Sequence, residues 1–138
     1  PTPTPTPTPT ATATDTPIPV RFEVLSVRAE RHGSKPDISL LRAPLKKVKV
    51  GVKVYLSIYV LVRSAPPGSL ATNDFRLTSA GRVALHRTMQ MAISSTGTAT
   101  YRGTTTFQAT QPGSYTFRGT VAVNGETKQR STTFRVVK

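Results

Sequence analysis

The chain has 138 residues, 36% of them hydrophobic, with no cysteine and a formal net charge of +13. That length fits one domain of ordinary size. The missing cysteine excludes disulfides and thiolate chemistry, no apolar run is long enough to cross a bilayer as a helix, and the charge calls for an anionic partner or surface, with nucleic acid and anionic polysaccharide as candidates.

Residues 1–17, PTPTPTPTPTATATDTP, are a Thr-Pro repeat ahead of a folding unit expected over residues 18–138. Proline fixes φ and holds its predecessor extended, so the repeat reads as a polyproline II rod. At roughly 3.1 Å per residue it would reach about 50 Å. Thr2, Thr4, Thr6, Thr8, Thr10, Thr12, Thr14 and Thr16 place hydroxyls along an exposed backbone, the composition of mucin-like O-glycosylated stalks. No Asn-X-Ser/Thr sequon is present. A start at Pro1 rather than Met, with no signal peptide, is expected of a processed or trimmed end.

Ile18, Val20, Phe22 and Val24 then alternate with polar residues until the phase slips between Leu25 and Val27, which predicts a first strand with a bulge. Residues 30–45 read as a loop, with a short strand over Ile38–Leu41. From Lys46 to Arg63 every even position, Val48 to Val62, is apolar and mostly β-branched. Such a run predicts one long strand bent or bulged near Gly51. Its odd positions are basic at first and then apolar at Tyr55, Tyr59 and Leu61, so the second half is expected to be covered on both faces.

Ala65-Pro66-Pro67-Gly68 is a turn signal. The apolar sets Phe75/Leu77, Val83/Leu85 and Met89/Met91/Ile93 predict three short strands, with turns at Ser79-Ala80-Gly81 and Ser94–Thr98. A further strand runs from Ala99 to Ala109, and Gln111-Pro112-Gly113 breaks it. Tyr115, Phe117, Gly119, Val121 and Val123 then alternate inward before Asn124-Gly125, the pair that favours a type I′ hairpin. Pairing Val123 with Glu126 sets Tyr115 opposite Phe134 and Phe117 opposite Thr132, so turn chemistry and apolar pattern agree on one register.

At least seven strands without a helical segment mean an antiparallel sandwich or barrel. Pro112-Gly113-Ser114-Tyr115-Thr116-Phe117 resembles the PGxYxF motif that leads into the penultimate strand of bacterial immunoglobulin-like domains. The resemblance implies an all-β, antiparallel immunoglobulin-like sandwich, here with an extended polyproline II N-terminal segment, and a tyrosine corner at Tyr115. The disulfide and core Trp of antibody domains are absent. Thr-Pro stalks ahead of such domains resemble those of secreted bacterial surface proteins and glycan-coated extracellular fibres.

Chemistry is sparse. The acids Asp15, Glu23, Glu30, Asp37, Asp74 and Glu126 stand singly, and His32 in a loop and His86 near the end of a short strand have nothing to assemble a zinc or nucleophile site with. Asn73-Asp74 is read as an Asx turn rather than a calcium ligand pair. The chain is therefore read as non-enzymatic, without cofactor or metal. Lys46, Lys47, Lys49 and Lys53 form a candidate basic surface, suited to anionic polysaccharide more than to nucleic acid, for which no motif is present. The face of Tyr55, Tyr59 and Leu61 is covered by the chain's own residues 30–45, by another subunit, or by a sugar ring.

These readings combine into an extracellular structural protein, the repeating subunit of a cell-surface or filamentous assembly. Its O-glycosylated N-terminal arm, including Ile18, Val20 and Phe22, would lie along a neighbouring copy as a homo-polymer contact. The alternative is a carbohydrate-binding or spacer module of a larger secreted enzyme or adhesin.

Overall fold

The computed structural model describes residues 2–6, 19–31, 44–93 and 98–138. The apolar run from Val48 to Val62 does not form one strand. Gly51, at φ +86°, turns the chain, and β2 (Lys47–Lys49) and β3 (Lys53–Ser64) join different sheets. A backbone in the left-handed region suits glycine because no Cβ meets the carbonyl. The expected bend is thus a transfer between layers.

The remaining strands are β1 (Arg21–Glu30), β4 (Leu70–Ser79), β5 (Arg82–Ala92), β6 (Ala99–Gln108), β7 (Gly113–Val123) and β8 (Glu126–Val137), with no helix among the described residues. They form a three-stranded sheet, β1-β3-β6, and a five-stranded sheet, β2-β8-β7-β4-β5. All neighbours are antiparallel except β2 and β8. A register shift between Val24 and Ser26 confirms the bulge expected from the phase slip at Leu25. Asn124 (φ 48°) and Gly125 (φ 83°) make the β7–β8 turn, and Tyr115 faces Phe134 as the sequence predicts.

Between Ser79 and Ala92 the three-strand expectation is corrected. β4 and β5 form one long hairpin through Ala80 (φ 51°) and Gly81 (φ 76°), both residues in the sense a type I′ turn requires. Thr78 pairs with Val83 and Leu77 with Leu85, so Ala84 is the extra residue of a bulge. That bulge turns Val83 to the outer face, where it is 51% exposed. Arg87, which interrupts the apolar pattern, sits where the five-stranded sheet reaches past the narrower one and stays in water.

The core lies between the sheets. Val54, Leu56, Ile58, Val60 and Val62 of β3 meet Phe75 and Leu77 of β4 and Phe117 and Val121 of β7, all fully buried. Burying each such side chain contributes about 1.5–3 kcal/mol. Phe75 and Phe117 stack with centroids 6.0 Å apart, and Tyr115 packs between Phe107 and Phe134 at 5.5 and 5.7 Å. The Tyr115 hydroxyl donates to the Gln111 carbonyl at 2.8 Å. Gly119 marks a close approach of the layers, since a Cβ there would stand 2.7 Å from Ile58 Cγ1 and 2.9 Å from Val27 Cγ2.

Candidate functional site

The outer face of the three-stranded sheet carries a closed polar network. Ser57 on β3 pairs with Arg28 and Thr104, and Tyr59 pairs with Ser26 and Arg102, so alternation puts these groups on one surface. The Tyr59 hydroxyl donates to Glu30 Oε1 at 2.6 Å, and Arg102 Nε and Nη2 donate to Ser57 Oγ at 3.1 and 3.0 Å. Arg28 and Arg102 approach the Tyr59 ring, their guanidinium carbons 5.9 and 5.7 Å from its centroid. Tyr59 is 0% exposed, and the side chains of Arg102 and Glu30 are 7% and 10% exposed. A cation at a buried aromatic ring is stabilising, and Glu30 offsets part of the charge.

This geometry bears on the contact residues expected from the sequence. Tyr59 has no open ring for a sugar or a subunit, whereas Tyr55 and Leu61 on the same face are partly exposed. Phe22 is 1% exposed and belongs to the core, because β1 pairs with β3 from Arg21 to Glu30. Val20 is partly buried against that core, so an arm free to leave the domain ends before it. Thr2, Thr4 and Thr6 are exposed without regular structure. Thr8, Thr10, Thr12, Thr14, Thr16, Ile18, His32, the strand expected at 38–41 and most of the turn expected at 94–98 lie outside the described residues.

The basic cluster expected at Lys46, Lys47, Lys49 and Lys53 is not one patch. The transfer at Gly51 separates Lys53, whose Nζ lies 5.6 Å from the Tyr55 ring centroid, from Lys47 and Lys49 on β2. Val48 points into the core opposite Val136, so Lys47 and Lys49 face outward beside Arg135.

The outer face of the five-stranded sheet is the open counterpart. Its register aligns a central row of His86, Arg76, Arg118 and Ser131 across β5, β4, β7 and β8. Beside it runs a hydroxyl row, Thr78, Thr116 and Thr133, with Thr116 and Thr133 Oγ1 atoms 3.4 Å apart. Arg76 and Arg118 are directly opposite, and like charges in that relation are destabilising. Arg76 Nε is buried and makes no hydrogen bond to a described residue. A shallow cleft of ≈ 430 Å³ opens over both arginines, lined also by Thr78, Val83, Thr116 and Ser131.

The acid on that face, Asp74, is taken by its neighbours. Its Oδ1 lies 2.6 Å from His86 Nε2 and accepts from Thr88 Oγ1 at 3.2 Å. Asn73 and Asp74 are in the middle of β4 and His86 in the middle of β5, which corrects the Asx-turn and strand-end readings. Asn73 faces the core at 1% exposure with both amide atoms unbonded to any described residue. Among the described residues no three His, Cys, Asp or Glu side chains gather as metal ligands would. A second cleft, of ≈ 870 Å³, lies between the β4–β5 turn and the β6–β7 connection, with Phe107, Tyr115, Gln111 and Arg82 in its wall and no carboxylate or imidazole.

The sequence reading missed the arginine row. Arg76 and Arg118 each sit at outward positions of an alternating strand, a visible signal, but their adjacency requires the pairing of β4 with β7, which are distant in sequence.

No family model matches the chain, and no curated protein matches it. Among solved structures it is similar to the alkylpurine DNA glycosylase AlkC of Pseudomonas fluorescens, bound to DNA containing an abasic site analog. That likeness has 15% identity and a TM-score of 0.47 over 86% of this chain, which spans 30% of the glycosylase chain. A Northeast Structural Genomics Consortium target, SoR45, is similar at 14% identity and a TM-score of 0.30, covering 88% of this chain and 85% of the other. Likenesses this distant say nothing of activity.

Proposed function

We propose that the protein is a non-enzymatic extracellular structural protein, a repeating subunit of a cell-surface or filamentous assembly, built as an immunoglobulin-like sandwich behind an O-glycosylated Thr-Pro segment. The carrying observation is the free edge of β5. Its 11 residues end the five-stranded sheet with no strand beyond them among the described residues, and all but Leu85 and Met91 are exposed. Val83 and Met89 stand 51% and 41% exposed along it. A long exposed edge is a template for another chain's backbone.

The occupant is the N-terminal arm of a neighbouring copy, upstream of Val20. Where a Thr-Pro repeat leaves the polyproline II form for strand geometry along an edge, only every second residue has an N–H, and those groups point to one side. Such an arm can therefore donate hydrogen bonds to one edge and to no further strand. A head-to-tail contact of this kind does not close, and filaments follow. The immunoglobulin-like assignment is supported by the Tyr115 to Gln111 hydrogen bond, the geometry of a tyrosine corner, and by the three-plus-five strand arrangement.

Light scattering and particle imaging of the full chain test the reading. The wild type is expected to polymerise, whereas Val83→Lys/Met89→Lys, which places charge on the edge, and a deletion of residues 1–17 are expected to stay monomeric. A wild type that remains monomeric at every concentration sinks the assembly reading. Filaments that persist without residues 1–17 sink the arm.

A further inference from the structure

We propose that the arginine row on the outer face of the five-stranded sheet is a binding site for an acidic polysaccharide, whose carboxylate or sulfate groups are taken by Arg76 and Arg118. This surface is distinct from the β5 edge, and the inference does not depend on polymerisation.

Three observations carry it. First, the two guanidiniums are directly opposite on β4 and β7, neither forms an ion pair with a described residue, and no acid lines their cleft. Holding two cations side by side is unfavourable until an anion bridges them, and a guanidinium presents a planar fork matched to oxyanions. Second, Arg76 Nε is a buried donor without an acceptor. Turning the guanidinium toward a ligand oxygen in the cleft would end that deficit, and buried donors left unpaired are costly. Third, Asp74 is already engaged by His86 and Thr88, so the nearby carboxylate does not serve as the counter-ion.

The ligand class follows from what surrounds the arginines. Lys47 and Arg135 form a second cationic station level with Ser114, four residues along β7 from Arg118. At about 3.3 Å per residue and about 4.8 Å per strand the stations are offset by about 13 Å along the strands and about 10 Å across them. Between them stands the hydroxyl row of Thr78, Thr116 and Thr133. Among the described residues this face carries Lys47, Lys49, Arg76, Arg118 and Arg135 against one carboxylate, Asp74, and presents no Phe, Tyr or Trp ring, while the His86 imidazole is held by Asp74. Single-stranded nucleic acid is held by stacking on aromatics, and duplex readout needs an element that enters a groove. A flat field of hydroxyls between cationic stations instead matches a chain bearing hydroxyls throughout and a charge at intervals.

Titrating the full chain with polygalacturonate oligosaccharides, sulfated heparin-type oligosaccharides and oligo-dT of matched charge tests this. Arg76→Gln/Arg118→Gln is expected to weaken oligosaccharide binding roughly tenfold to hundredfold. Lys53→Gln/Arg87→Gln, with the same loss of charge off this face, is expected to change it by less than about threefold. Arg118→Lys, which keeps the charge without the fork, should fall between. Thermal melting separates lost binding from lost folding, and the exposed Arg118→Gln alone serves if the double variant is unstable. Equal losses in the two double variants, an absence of saturable oligosaccharide binding, or oligo-dT bound as tightly as polygalacturonate would each overturn the proposal.

Discussion

The two outer faces of the sandwich hold the same residue type in opposite states. Over the three-stranded sheet, Arg28 and Arg102 approach the Tyr59 ring, and Ser26, Ser57 and Glu30 receive their donors or balance their charge. Over the five-stranded sheet, Arg76 and Arg118 face each other without a carboxylate. Arginine content therefore says little about a surface. What decides its role is whether an acid and an aromatic arrive at the same register on adjoining strands. The first face is finished by the chain itself, and the second leaves its two opposed arginines without an ion pair among the described residues.

Three substitutions sharpen or break that comparison. Glu30→Ala should destabilise the domain by about 2–4 kcal/mol, since it takes the carboxylate from beside the buried Arg102 guanidinium and removes the acceptor of the Tyr59 hydroxyl. Chemical denaturation reads this directly. A change under about 0.5 kcal/mol would mean that the first face is as open as the second. Tyr59→Phe keeps the ring between the guanidiniums and removes only the hydroxyl, so about 1.5–3 kcal/mol should be lost, the range for a hydrogen bond to a charged group. The smallest effect, and of opposite sign, is expected at Arg118→Thr, where removing one of two opposed cations should raise stability by about 0.2–1 kcal/mol. A loss there would show Arg118 to be structural and the faces alike.

Much of the fold was legible locally. The β7–β8 hairpin follows from Asn124-Gly125 together with an apolar alternation that tolerates only one register, and the bulge in β1 follows from a phase slip at Leu25. The reading failed where one local pattern has two tertiary outcomes. Val48 to Val62 alternates without interruption, yet a single glycine turns it from one layer to the other. The residues Val83 to Met91 looked like two strands because Arg87 interrupts the apolar series, which it can do because no described strand covers that part of β5. The basic cluster at Lys46 to Lys53 dissolved for the first of these reasons. The open arginine pair escaped notice because its two members come from β4 and β7, which are distant in sequence.

Alternation and turn chemistry determined that this chain forms strands, which side of each faces inward, and how its closing hairpin aligns. These are consequences of a two-residue period and of backbone angles that act over a few residues. Only the tertiary structure decided which strands adjoin, and with that which arginines are neutralised and which stand opposed. Lateral pairing between β4 and β7 joins distant segments through backbone hydrogen bonds common to every residue, and no local pattern records the choice of partner.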